Sequence, residues 1–116
     1  MASKRPKSLK PVSTFDTKLF LASVPGGRRS VSYEAGDIIF RQGDPADAVY
    51  YLENGGVQIT VVSDQGKEGV IATFGEGDFF GEGCLTGQEF YLATASATKN
   101  TSAIAVDKAA MLRALH

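Results

Sequence analysis

The sequence predicts a mainly β domain, an antiparallel β sandwich or jelly roll with a short helix near either end. Three observations point there. Between residues 29 and 106 apolar side chains recur with a period of two, in seven or eight short runs. Those runs are separated by Gly, Asp and Asn turn signals. On both sides of that stretch the spacing reverts to a helical one. Closely spaced short strands with polar turns are the pattern of sandwiches and jelly rolls.

Residues 1–12 hold Pro6, Pro11 and interspersed Lys and Ser, and read as a flexible basic arm ahead of a domain over 13–116. Ser13 and Asp16 stand at capping-box spacing, with Phe15, Leu19 and Ala22 at helical intervals. Pro25-Gly26-Gly27 stops that helix. Strands are then expected over 30–33, 37–40 and 49–53. Val57, Ile59 and Val61 alternate with Gln58 and Thr60, and Val70, Ala72 and Phe74 alternate with Ile71 and Thr73. Further strands are expected over 78–80, 93–97 and 101–106. Asn54-Gly55 predicts a two-residue hairpin between 50–53 and 56–60, and Asp64-Gln65-Gly66 predicts a longer one. The pairs Gly36-Asp37, Gly43-Asp44 and Gly77-Asp78 mark corners. Asp107 can cap a last helix that places Met111 and Leu115 on one face, with Ala110 nearby.

Composition narrows the function classes. A chain of 116 residues with 43% hydrophobic content fits one domain able to bury a core, and is too apolar for a disordered one. No apolar run reaches the roughly 18 residues of a membrane span, and the basic start lacks the apolar stretch of a secretory signal. Cys84 is the single cysteine and cannot form an internal disulfide, which favours a reducing, cytoplasmic setting. The single histidine, His116, excludes a multi-histidine metal site. The net charge of -1 hides an asymmetry. Lys4, Arg5, Lys7 and Lys10 open the chain, whereas residues 30–98 hold eleven acids against Arg41 and Lys67, nine negative charges net. Bulk electrostatics of that sign exclude a nucleic-acid-binding surface.

The motif richest in chemistry is Phe80-Gly81-Glu82-Gly83-Cys84-Leu85. Gly81 and Gly83 permit close backbone approach, a following helical turn would offer free N–H groups, and Glu82 could accept from ligand hydroxyls. A structural turn at a barrel corner would use the same residues. Taken with the blocks Tyr33-Glu34-Ala35-Gly36-Asp37-Ile38-Ile39-Phe40, Arg41-Gln42-Gly43-Asp44-Pro45-Ala46-Asp47, Tyr50-Tyr51-Leu52-Glu53-Asn54-Gly55 and Gly75-Glu76-Gly77-Asp78-Phe79-Phe80-Gly81-Glu82, the chain resembles the cyclic-nucleotide-binding domain family. It is most similar to the effector domains of Crp/Fnr-superfamily bacterial transcription regulators. The resemblance implies an eight-stranded jelly roll (double-stranded β-helix) with short flanking helices and a ligand pocket at the turn after Phe80.

In nucleotide-binding members, as the resemblance implies, Phe-Gly-Glu is followed by eight residues and then by arginine and small residues. The glutamate engages the ribose 2′-hydroxyl and the arginine pairs with the cyclic phosphate. Glu82 matches the first. Tyr91 stands in the place of the second, followed by Leu92, Ala93 and Thr94, and no Arg or Lys occurs from Glu68 through Thr98. Losing one partner of a buried charge pair costs roughly 2–5 kcal/mol, about thirty- to several-thousand-fold in affinity. The expected ligand residues are Phe80, Gly81, Glu82, Gly83, Cys84, Leu85, Tyr91 and Leu92, with cyclic AMP or cyclic GMP at reduced affinity and no certain cofactor. Backbone N–H groups of Gly83 and Cys84 could still hold a weaker ligand.

Other chemistries find less support. Cys84 reads as a buried small hydrophobe rather than a redox sensor, because no cation neighbours it in sequence. Iron–sulfur sensing needs several cysteines, and cupin-type catalysis needs histidine clusters. Tyr50, Tyr51 and Tyr91 read as core or pocket-wall aromatics. Glu76, Asp78 and Glu82 have the spacing of an acid–base or oxygen-ligand set, and equally that of polar residues flanking a strand and turn. The expectation is a non-enzymatic effector-sensing domain of a Crp/Fnr-type regulator that takes a small-molecule effector. The alternative is a degenerate protein-interaction or structural module with no nucleotide ligand. The family's dimerisation helix and helix-turn-helix are absent from the sequence, so no specific DNA binding by this chain alone and no membrane contact are expected. Self-association stays open.

Overall fold

Eight strands arise where the two-residue alternation predicted them, and the computed structural model describes residues 26–115. The predicted basic arm and first helix lie outside the described residues. The strands are β1 (Arg28–Tyr33), β2 (Ile38–Phe40), β3 (Ala48–Asn54), β4 (Val57–Val62), β5 (Glu68–Phe74), β6 (Phe79–Phe80), β7 (Thr94–Ala97) and β8 (Thr101–Asp107). A five-residue 3₁₀ helix, Glu82–Thr86, follows β6, and helix α1 (Lys108–Leu115) follows β8. Two four-stranded sheets result, ordered β1-β8-β3-β6 and β2-β7-β4-β5. Every pairing is antiparallel. The mainly β jelly roll of the sequence reading is the observed fold.

Residue size divides the core. β7 and β8 contribute small inward residues, Ala95, Ala97, Ala103 and Ala105, all buried. Beside them in the same sheets β2, β3 and β6 supply bulk through Phe40, Tyr50, Leu52 and Phe80, with Phe40 paired to Ala95, Tyr50 to Ala105 and Leu52 to Ala103. A small residue beside each large one leaves room for the bulky side chain at interior density. β3 is buried at five successive positions, Ala48 through Leu52, whereas the first four residues of β5 are exposed. β3 is therefore a central strand and β5 an edge.

Asn54-Gly55 does not make the expected hairpin. β3 pairs with β8 and β6, while β4 pairs with β5 and β7, so the dipeptide carries the chain from one sheet to the other. The reason is saturation: both edges of β3 are already occupied, which leaves none for β4. Gly55 has φ 110°, and its neighbour Gly56 donates its N–H to Thr101 Oγ1 at 3.1 Å. The second expected hairpin is present, joining β4 to β5 through a turn closed by Ser63 N–H to Lys67 O at 2.9 Å.

The three Gly-Asp corners share one device. Asp37, Asp44 and Asp78 each donate their N–H to the carbonyl three residues earlier, at 2.9, 3.0 and 3.1 Å. Each carboxylate then accepts the N–H of that same earlier residue, Glu34, Arg41 or Gly75, at 2.8, 3.0 and 2.8 Å. At the other end α1 buries Ala110 and Met111, but Leu115, expected on that face, is 54% exposed. No helix among the described residues is long and apolar enough to cross a membrane.

Candidate ligand-binding site

The site is built where β6 gives way to the 3₁₀ helix. Phe80 is fully buried, its ring stacked on Tyr50 with centroids 5.1 Å apart. Gly81 must then turn the chain with φ 78°, and a Cβ there would sit 3.3 Å from the Phe40 ring and 3.5 Å from the Ala48 carbonyl. Glycine meets both demands at once. Glu82 opens the 3₁₀ helix, exposed and in its first turn.

This turn walls a cavity of about 270 Å³ against the β2-β7-β4-β5 sheet. Its buried floor is Phe40, Ile59 and Tyr91, and Ala72, Phe74 and Ala93 form its sides. Gly81, Glu82, Gly83 and Gln88 supply the polar wall, and Ile71 and Leu92, 61% and 64% exposed, flank the mouth. Gln88 lies with its side-chain amide over the Cα of Gly83, in the place any side chain at 83 would take. The volume falls just below the range of drug-sized ligand pockets, which starts at about 300 Å³.

Of the residues singled out from the sequence, Gly81, Glu82, Gly83, Tyr91 and Leu92 line this cavity. Phe80, Cys84 and Leu85 lie behind it, in or against the core. Cys84 is 1% exposed, and its Sγ faces the carbonyls of Gly81 and Ala48 at 3.5 and 3.8 Å. Burial pushes its thiol pKa up, an inert environment rather than a reactive one.

Tyr91 holds the most constrained position. Its ring stacks on Phe40 at 3.7 Å and 12°. Its hydroxyl donates to the Ala48 carbonyl at 2.6 Å and accepts the Ala48 N–H at 3.3 Å. Its backbone is pinned too, with Tyr91 N–H to Asp44 O and Gly43 N–H to Tyr91 O both at 2.8 Å. Burial drives the phenol pKa well above its ordinary value, only partly offset by the Ala48 hydrogen bond. Tyr91 therefore presents a ring face to the cavity and turns its polar end into the protein.

A larger open groove of about 600 Å³ lies at the ends of β1, β3 and β8, lined by Tyr33, Glu34, Asp37, Asn54 and Thr101 among others. Its Asp37 carboxylate is already held by the turn, and the cavity under Gly81 has the more apolar lining.

Residues 30–116 match the family model of the cyclic nucleotide-binding domain. The chain belongs to the cyclic nucleotide-binding domain family. An uncharacterized protein of Mycobacterium tuberculosis is 37% identical over 100 residues, which cover 86% of this chain and 19% of that protein. The sensor domain of the transcriptional regulator DNR from Pseudomonas aeruginosa superposes with a TM-score of 0.73 at 33% identity, over 83% of this chain and 62% of that chain. The catabolite activator protein of Thermus thermophilus superposes with a TM-score of 0.77 at 26% identity, over 92% and 48%. The chain spans about a fifth of the length of the first curated relatives it matches, 19–21%.

Among the described residues no Lys or Arg lines the cavity, and Glu82 is the one charged residue that does. Ile59, Ala72 and Phe74 were readable as inner-face residues from their alternation, although the sequence reading did not assign them to the site. Gln88 carried no signal, because its role depends on the chain folding back over Gly83.

Proposed function

We propose that this domain is the effector-sensing part of a Crp/Fnr-type regulator, in which a small molecule enters the cavity beneath Gly81–Gly83 and no reaction is catalysed. The reading extends to a domain over 13–116 acting in the cytoplasm, with DNA read by other parts of the regulator. The observation that carries it is the architecture of the cavity: the 3₁₀ turn and Glu82 set over a largely apolar hollow on the β2-β7-β4-β5 sheet. Cyclic AMP and cyclic GMP bind weakly at best, because Tyr91 offers a ring where a phosphate needs a cation.

Titration calorimetry with cyclic AMP tests this on the native chain and on Leu92→Arg. Leu92 lines the cavity and is exposed, so a cation placed there leaves the Tyr91 packing intact. The substitution is expected to tighten binding by about thirtyfold or more. Tight binding to the unaltered chain would refute the weak-nucleotide reading. Silence in both proteins would refute a nucleotide-type cavity and favour a ligand-free interaction module.

A further inference from the structure

The chemistry of the cavity is one-sided. Its floor and sides are carbon, from Phe40, Ile59, Ala72, Phe74 and Ala93, with the Tyr91 ring completing the floor. The Tyr91 hydroxyl is held outside by Ala48. Two polar side chains remain. One is the Glu82 carboxylate, which when ionised can only accept hydrogen bonds. The other is the Gln88 amide, packed against Gly83. No Lys or Arg among the described residues lines the chamber. The 3₁₀ helix offers no compensation: it has five residues, and the negative charge its first turn favours is already supplied by Glu82.

An anion entering this chamber gives up hydration, gains no counter-charge and faces a carboxylate. Residues 26–115 carry twelve acids against seven bases, five negative charges net, which adds a weaker general repulsion. An uncharged ring compound meets the opposite balance. Its faces lie against aromatic and aliphatic walls, and its hydroxyl or amine protons find Glu82.

We infer that the cavity selects an uncharged ring compound bearing hydrogen-bond donors, the class that includes nucleosides, and discriminates against its phosphorylated counterparts. This rests on the proposal above that the cavity is the effector site. Adenosine and cyclic AMP form a matched pair, with ring and sugar in common and the phosphate charge as the main difference. Both are titrated into the native chain and into Glu82→Gln, following the amide resonances of Gly81, Gly83 and Leu92. Adenosine is expected to bind at least about tenfold more tightly than cyclic AMP, the effect of a modest unpaired charge. Glu82→Gln is expected to shrink that ratio to about threefold or less. Cyclic AMP binding as tightly as adenosine at those amides overturns the selectivity and leaves the effector cavity standing. No shift at those amides with either compound overturns both.

Discussion

The Tyr91 hydroxyl should hold β3 in place, and Tyr91→Phe isolates that contribution. The substitution keeps the ring stacked on Phe40 at 3.7 Å and deletes only the oxygen. That oxygen serves two groups of one residue, the Ala48 carbonyl at 2.6 Å and the Ala48 N–H at 3.3 Å. Ala48 is 1% exposed, so water is poorly placed to replace it. Losing the hydrogen bond and leaving a buried backbone group unsatisfied costs about 2–3 kcal/mol. For 116 residues the entropy of unfolding is about 0.24 kcal/mol/K. The melting temperature should therefore fall by about 8–12 °C in differential scanning calorimetry. A fall under about 2 °C would mean that the hydroxyl is readily replaced by solvent, and would refute the anchoring role.

Gly55→Ala should be among the most damaging small changes, because φ is 110° and a Cβ would come within 2.6 Å of the Asn100 carbonyl and Thr101 Cα. Strain and overpacking together should cost about 3 kcal/mol in urea unfolding, and a loss below 1 kcal/mol would contradict the inter-sheet corner. Cys84 should react with iodoacetamide at pH 8 at least about a hundredfold more slowly in the folded than in the urea-unfolded chain, since burial both shields the thiol and raises its pKa. Equal rates would place the thiol at the surface.

The alternation of Val57, Ile59 and Ala72, Phe74 made the paired strands legible, because a sheet with one buried face imposes a two-residue period on its sequence. The same logic reached the turn after Phe80, where Gly81 answers a local steric demand. What the sequence concealed was pairing between distant segments. Asn54-Gly55 has the composition of a hairpin, yet which strands pair is decided by β8 and β6 occupying the edges of β3, information that lies some 25 to 50 residues away. The position of Tyr91 was legible and its direction was not. A tyrosine in a motif position can point its hydroxyl at ligand or at backbone, and here the Ala48 carbonyl decides.

The acidity of the chain also changes meaning once the turns are resolved. Asp37, Asp44 and Asp78 look like loose surface charges in the sequence, but each is engaged by a backbone N–H within its own corner. Such carboxylates shape the jelly roll rather than advertise a partner surface, since a turn that bonds its aspartate both ways is held against fraying. Glu82 differs in that the 3₁₀ helix begins at it without a side-chain cap at Gly81. It faces a chamber of carbon walls, and the local cation that would balance it is missing among the residues that line that chamber. The corner aspartates thus answer a demand of the fold, whereas Glu82 lines the cavity, and the proposed effector is expected to direct its protons there.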